Sequence, residues 1–275
     1  MIVTVTPNPS IDRTVTLTGP LTRGAVHRVS SVTTEPGGKG VNVARALTLA
    51  GLDAVAVLPA PTTDPLVAAL SASTVSFRCV SAAGAVRTNL AITEYDGTTT
   101  KLNEPGAALG AAALDALTKS VIANAETASW VVLSGSLPPD VPDNWYAHVV
   151  ALLQSYPCRV AIDTSEGPLG ALVESFDRAA PDLIKPNAEE LAGVLGYSPQ
   201  ALEAAVAQGD PEPVVSAARQ LVDRGVGAVL ATLGAGGAVL VDETGSWLAT
   251  PPSIAARSTV GAGDASLAGY IRADV

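Results

Sequence analysis

Ser258-Thr259-Val260-Gly261-Ala262-Gly263-Asp264-Ala265-Ser266 joins a glycine-rich turn to an acidic residue where a helix is expected to begin. Gly261 and Gly263 allow close backbone approach to a ligand. The first N–H groups of a helix have no internal partner and lie at the positive end of its macrodipole. That combination suits a phosphate or a developing anion. Asp264 does not fit a purely phosphate-holding loop, because a carboxylate repels a bound phosphate. It fits a general base that takes the proton of a hydroxyl as the hydroxyl attacks a phosphoryl group. The plainer alternative is an aspartate that only complements the helix dipole.

Further stretches carry residues of the same chemistry. Pro36-Gly37-Gly38-Lys39-Gly40-Val41-Asn42 is another glycine-rich turn feeding a helix, and the first of the two in chain order. It has neither the P-loop nor the dinucleotide-binding spacing. Lys39 and Asn42, three apart, share a face of the first turn and suit a polyhydroxylated, negatively charged ligand, or a solvated surface. Asp12 is expected just past the first strand, where open α/β sheets bind ligands, or in a plain surface turn. Lys185-Pro186-Asn187-Ala188-Glu189-Glu190 ends a strand. Asn187 and Glu190 read either as a capping box or as oxygen groups holding the water shell of Mg²⁺. Thr232-Leu233-Gly234-Ala235-Gly236-Gly237 allows close approach to a flat or phosphorylated ligand, or is a simple hairpin turn. Arg87, Asn89, Lys101 and Asn103 lie on or beside a hairpin, where they can donate to phosphate or hydroxyl groups.

The elements that position these residues follow from the patterning. Ile2 to Thr6 reads as a strand, Val15 to Thr33 as short antiparallel strands, and Val86 to Leu102 as a hairpin turning at Asp96-Gly97. From Gly110 onward strands and helices alternate, which implies a mostly parallel sheet with helices on both faces. The chain has 275 residues, 48% hydrophobic and only 4% aromatic, so Ala, Val and Leu must pack the core. A net charge of -10 argues against nucleic acid or an anionic membrane as partner. Cys79 and Cys158 lack metal-ligand spacing and read as reduced thiols of a cytoplasmic protein without signal peptide or membrane span.

Taken in order, these motifs resemble the ribokinase-like (PfkB) carbohydrate kinase family over nearly the whole chain. Thr6-Pro7-Asn8-Pro9-Ser10-Ile11-Asp12, Ser134-Gly135-Ser136-Leu137-Pro138 and Lys185-Pro186-Asn187 are most similar to its phosphosugar branch. The resemblance implies an α/β body of residues 1–11, 34–84 and 104–275 and a small β lid of residues 12–33 and 85–103. It also implies further C-terminal structure beyond Val275. It implies transfer of the ATP γ-phosphoryl group to fructose 1-phosphate, giving fructose 1,6-bisphosphate, with tagatose 6-phosphate as the alternative acceptor. A non-catalytic nucleotide- or sugar-phosphate-binding regulator is the alternative of another class. By resemblance, Asp264 is the base, and Gly261, Ala262, Gly263 and the Asp264 N–H form the anion hole. Asp12, Gly38, Lys39 and Asn42 meet sugar hydroxyls, while Arg87, Asn103 and Ser136 meet the sugar phosphate. Lys185, Asn187 and Glu190 face ATP and Mg²⁺, Thr232, Gly234 and Gly236 line the nucleotide site, and the lid doubles as a homodimer contact.

Overall fold

The structure, a computed structural model, describes residues 1–252 and 261–275, so Ser258, Thr259 and Val260 of the second glycine-rich turn lie outside the described residues. The strands are β1 (Ile2–Val5), β2 (Ser10–Leu17), β3 (Val29–Gly37), β4 (Ala54–Ala60), β5 (Ser76–Ser81), β6 (Arg87–Thr93) and β7 (Thr99–Asn103), then β8 (Trp130–Ser134), β9 (Arg159–Asp163), β10 (Leu183–Ile184), β11 (Ala228–Thr232), β12 (Ala238–Asp242) and β13 (Gly245–Ala249). The helices are α1 (Lys39–Leu49), α2 (Pro65–Ser71), α3 (Ala111–Ala125), α4 (Trp145–Leu153), α5 (Glu166–Glu174), α6 (Phe176–Ala179), α7 (Ala188–Leu195), α8 (Pro199–Ala207), α9 (Glu212–Val222) and α10 (Ala262–Asp274).

Nine strands form one sheet in the order β13-β12-β11-β10-β9-β8-β1-β4-β5. It is parallel from β11 to β5, and the hairpin β12–β13 adds an antiparallel edge. Alternation along each strand sends side chains to two helical layers. Ile2, Ala54, Ala56 and Leu58 face α1, α2 and α10, whose Leu47, Leu66 and Leu267 are fully buried. Val3, Val5, Val55 and Val57 face the layer that contains α3 to α9. Each buried Val or Leu contributes about 1.5–3 kcal/mol relative to exposure. The small alanines on the first face let the helices approach the sheet closely. The C-terminal turn of α10 is pinned to that face. Trp130 Nε1 donates to Asp274, whose carboxylate also pairs with Arg159. Among the described residues no helix is long and apolar enough to cross a membrane.

The second sheet has the order β3-β2-β6-β7, with β2 and β6 parallel and the outer pairs antiparallel. Its first two strands run from Ser10 to Gly37, a longer span than residues 12–33. Asp12 therefore lies inside β2 rather than in a turn beyond β1. Register places Ser10 beside Arg87, and Asp12 beside Asn89, itself opposite Asn103, so these residues share one face. The connection between β6 and β7 is wider than a two-residue Asp-Gly turn: Glu94 N donates to Thr98 O, and Gly97 takes φ 92.

Helices α6 and α8 and strand β13 were not read from the sequence. Helix α8 carries a legible start, Ser198 accepting from Ala201 N ahead of Pro199. Strand β13, largely exposed at the sheet edge, has no apolar alternation to announce it.

Candidate active site

After β5 the chain crosses from one side of β1 to the other before adding β8, which creates a topological switch point between β1 and β8. Ligands of open α/β sheets bind outside the carboxyl ends of strands at such a point. Thr6–Pro9 follow β1, Gly135 and Ser136 follow β8, Asp163 ends β9, Lys185 follows β10 and Gly234 follows β11. Helices α1 and α10 pack against each other on one face of the sheet, so both glycine-rich turns open at this edge.

The first turn is seated tightly on β1. A Cβ on Gly40 would lie 2.5 Å from Thr6 Oγ1, and one on Gly38 would lie 2.6 Å from Thr6 Cγ2. Gly38 also takes φ 106, a region that disfavours other residues. In the second turn Gly261 caps α10 at φ 77, and Asp264 falls in the first helical turn. Asp264 is buried, and its Oδ2 accepts a 2.8 Å hydrogen bond from Asn42 Nδ2. Asn42, expected to meet sugar hydroxyls, thus reaches the carboxylate expected to be the base.

Beneath these turns lies a residue the sequence reading passed over. Asp163 is fully buried, with Oδ1 2.7 Å from Lys39 Nζ and Oδ2 3.2 Å from Lys185 Nζ. The second contact is an ion pair without hydrogen-bond alignment. Lys185, expected to face ATP phosphates, has its ammonium in this pair and is buried. It also borders the second glycine-rich turn, since a Cβ on Gly263 would lie 3.1 Å from Lys185 Nζ. Lys39 and Lys185 therefore each pair with a different oxygen of one carboxylate near Asp264.

The electrostatics follow from that packing. Burial pushes the Asp264 carboxyl above the ordinary aspartate value; Asp163 adds to the rise, while Asn42, Lys39 and Lys185 oppose it. Glu190 is likewise raised, chiefly by burial and with Asp163 contributing, against Lys39, Lys185 and the Asn187 N–H. Burial works against the charge of Lys39, yet the ion pair and hydrogen bond to Asp163, with Glu190 and Asp264 nearby, hold its pKa above the ordinary lysine value.

On the second sheet, Asp12 Oδ1 accepts from Ser10 Oγ at 2.7 Å and from Asn89 Nδ2 at 3.0 Å. A Cβ on Gly37 would sit 2.3 Å from the Asp12 carboxylate, so this sheet and the first glycine turn meet without room for a side chain. Arg87 donates to Glu104 O, its buried Nε has no partner among the described residues, and its pKa is lowered by burial against the pull of Asp12. It lines a small cleft with Asn8, whose amide reaches Ser136 Oγ at 3.3 Å and the carbonyls of Pro105 and Leu137. Asn103 is exposed at the end of β7.

On the other side of Lys185, Asn187 and Glu190 form a complete capping box for α7, each side chain accepting from the other's backbone N–H at 2.8 Å. Asn187 bridges to Thr232 between β10 and β11. A cavity of about 910 Å³ opens beyond them, lined by Asn187, Thr232, Gly234, Gly236, Val206 and Leu248. No cluster of three or more His, Cys, Asp or Glu side chains able to hold a metal occurs among the described residues.

Asp163 and Asn8 were not singled out from the sequence, whereas Asn89 was named there among the donors of the hairpin. The signal for Asp163 was its place as the last residue of a buried strand beside Ser134 of β8, the same position that drew attention to Lys185.

The profile of the pfkB family carbohydrate kinase matches residues 5–273. The 1-phosphofructokinase of Rhodobacter capsulatus is 40% identical over 276 residues, covering 99% of this chain and 83% of the relative. That of Xanthomonas campestris pv. campestris is 37% identical over 274 residues, covering 98% and 83%. Among solved structures, phosphofructokinase-2 from Escherichia coli in complex with substrates and products superposes with a TM-score of 0.87 at 30% identity, over 99% of this chain and 86% of that one. The two glycine-rich turns, the carboxylate between them and the parallel sheet that carries both belong to a member of the pfkB family of carbohydrate kinases.

Proposed function

We propose that this chain transfers the γ-phosphoryl group of ATP to fructose 1-phosphate, giving fructose 1,6-bisphosphate. The observation that carries the chemistry is the placement of Asp264 in the first turn of α10, beside two ammonium groups anchored on Asp163. The choice of acceptor follows the relatives at 40% and 37% identity. Asp264 accepts the proton of the attacking hydroxyl, and Asn42 keeps one of its oxygens turned to the site until substrate arrives. Lys39, Lys185 and the first-turn amides of Gly261–Asp264, which a helix leaves without intrahelical acceptors, stabilise charge on the transferring group. Asp12 and Asn89 meet sugar hydroxyls, and Arg87, Ser136 and Asn103 meet the phosphate already on the sugar. The nucleotide occupies the cavity beside Thr232, Gly234 and Gly236.

The donor set fits Mg²⁺. Three carboxylates, Asp163, Glu190 and Asp264, face two ammoniums, so an incoming triphosphate needs a cation to balance it. Mg²⁺ keeps most of its waters and binds through one or two carboxylates and substrate phosphates, so it needs no dedicated cage of protein ligands. Asn187 and Glu190 would hold it through water, the cap using only Oε2 of Glu190. When bound, the ion neutralises charge on the β- and γ-phosphate oxygens.

We further assign the second sheet as a lid over the sugar, its Asp12 face inward. Its other face carries Val15, Leu90 and Leu102 around an open cavity of about 540 Å³, and Val32 and Leu102 are largely exposed. That face is the contact of a homodimer. Both cysteines are free, in keeping with a cytoplasmic enzyme. The test is ADP release from ATP with fructose 1-phosphate, fructose 6-phosphate and tagatose 6-phosphate side by side. The highest kcat/KM is expected on fructose 1-phosphate; a higher value on another sugar, or no sugar-dependent release, refutes the assignment.

A further inference from the structure

Asp163 is fully buried, and an uncompensated buried carboxylate costs several kcal/mol. Its partners come from different parts of the fold. Lys39 opens α1 and stands 124 residues away in sequence, whereas Lys185 follows β10, the strand beside β9. Each ammonium has three N–H donors. With a single contact to Asp163 each, both lysines keep donors for other oxygens. The backbone of Asp163 is fixed as well, because its carbonyl accepts from Gly135 N at 2.8 Å in the turn that presents Ser136. Without the carboxylate, two like charges converge on one buried point and repel.

We propose that Asp163 is a positioning residue for phosphoryl transfer: it holds the ammonium groups of Lys39 and Lys185 near Asp264, so that both meet the transferring group without moving. The inference rests on the kinase reading above. The groups facing Lys39 are Asp163 of β9, Glu190 of α7 and Asp264 of α10, with Lys185 across the shared carboxylate. Asp163 alone among them is hydrogen-bonded to Lys39.

The test uses Asp163→Asn, which preserves shape and removes charge. The expected kcat falls about 10²–10³-fold, the loss typical of a displaced electrostatic donor, while KM for sugar phosphate and ATP moves less than about threefold. In a Lys39→Met background, adding Asp163→Asn costs less than about tenfold, because the two act as one unit. A second readout is independent of turnover: acylation of Lys39 by an amine-reactive ester, followed by mass spectrometry. Freed from Asp163, Lys39 should label about tenfold faster, because less of it is held as the ammonium. A kcat within threefold of wild type, an unchanged labelling rate, or recovery of full activity at high Mg²⁺ overturns the proposal; the last result would make Asp163 a metal-holding group. Should the wild type phosphorylate no sugar, the kinase reading fails on that ground, and the labelling still reports whether Asp163 holds the lysine.

Discussion

Asp264 pays for its position in stability. A carboxyl whose folded pKa lies above its unfolded value supports folding at pH below the unfolded value and loses that support as pH rises through the folded one. At neutral pH the ionised, buried Asp264 therefore works against the fold. Asp264→Asn is expected to raise the melting temperature while lowering kcat about 10²–10⁴-fold, with KM little changed. A calorimetric scan beside steady-state kinetics checks both halves. In the wild type, kcat should fall on acidification at a pH above the ordinary aspartate range, because the base must be ionised to act. On the proposed assignment of Arg87 to the sugar phosphate, Arg87→Ala should raise KM for the sugar phosphate about tenfold or more, the worth of one charged hydrogen bond, and change the ATP KM less. Both residues stand out in the sequence because each is a charge in an unusual setting, a carboxylate in a glycine-rich turn and a cation on a hairpin. Asp163 was not. A strand-ending aspartate has no local pattern, and its meaning appears only when Lys39 and Lys185 arrive from distant segments.

At the scale of the element, the capping box of α7 joins a structural and a functional reading in one pair. Asn187→Ala removes a side-chain acceptor from Glu190 N, which costs about 1 kcal/mol of stability. It should also raise the Mg²⁺ concentration needed for half-maximal rate. Thermal melts with a Mg²⁺ titration check this, and a lower melting temperature with an unchanged titration would leave capping as the residue's whole role. The elements that read clearly from sequence were those with a strong period or a strong stop: the buried strands β8 and β9, the helix after Gly38, and α7 with its Asn-x-x-Glu start. Boundaries drifted where tertiary contacts decide them. Helix α4 begins only at Trp145, because Pro142–Asn144 form a separate turn in which Trp145 N donates to Pro142 O.

At the scale of the whole molecule, the alternation of strands and helices after Gly110 was enough to give the parallel sheet, and the β-rich segments gave the second sheet. What the sequence did not disclose was the parallel pairing of β2 with β6 at the centre of that sheet, since register between distant strands leaves no local trace. The exposed face of the sheet carries the dimer prediction. Leu102→Glu places a charge amid Val15 and Leu90 and should shift sedimentation from dimer to monomer. An unchanged sedimentation coefficient would reject this face as the contact.

The paired residues Asp12 and Asn89 lie 77 positions apart, with β4, β5 and their helices threaded between them. Closing so long a loop carries an entropic cost before any ladder bond compensates it. While the chain emerges from the ribosome, β2 and β3 can form a ribbon early, but β2 keeps an open edge until β6 is synthesised. That edge can recruit a neighbouring nascent chain. Binding competence is thus a late event in biogenesis, and the interval before it is when this protein is most exposed to misassembly.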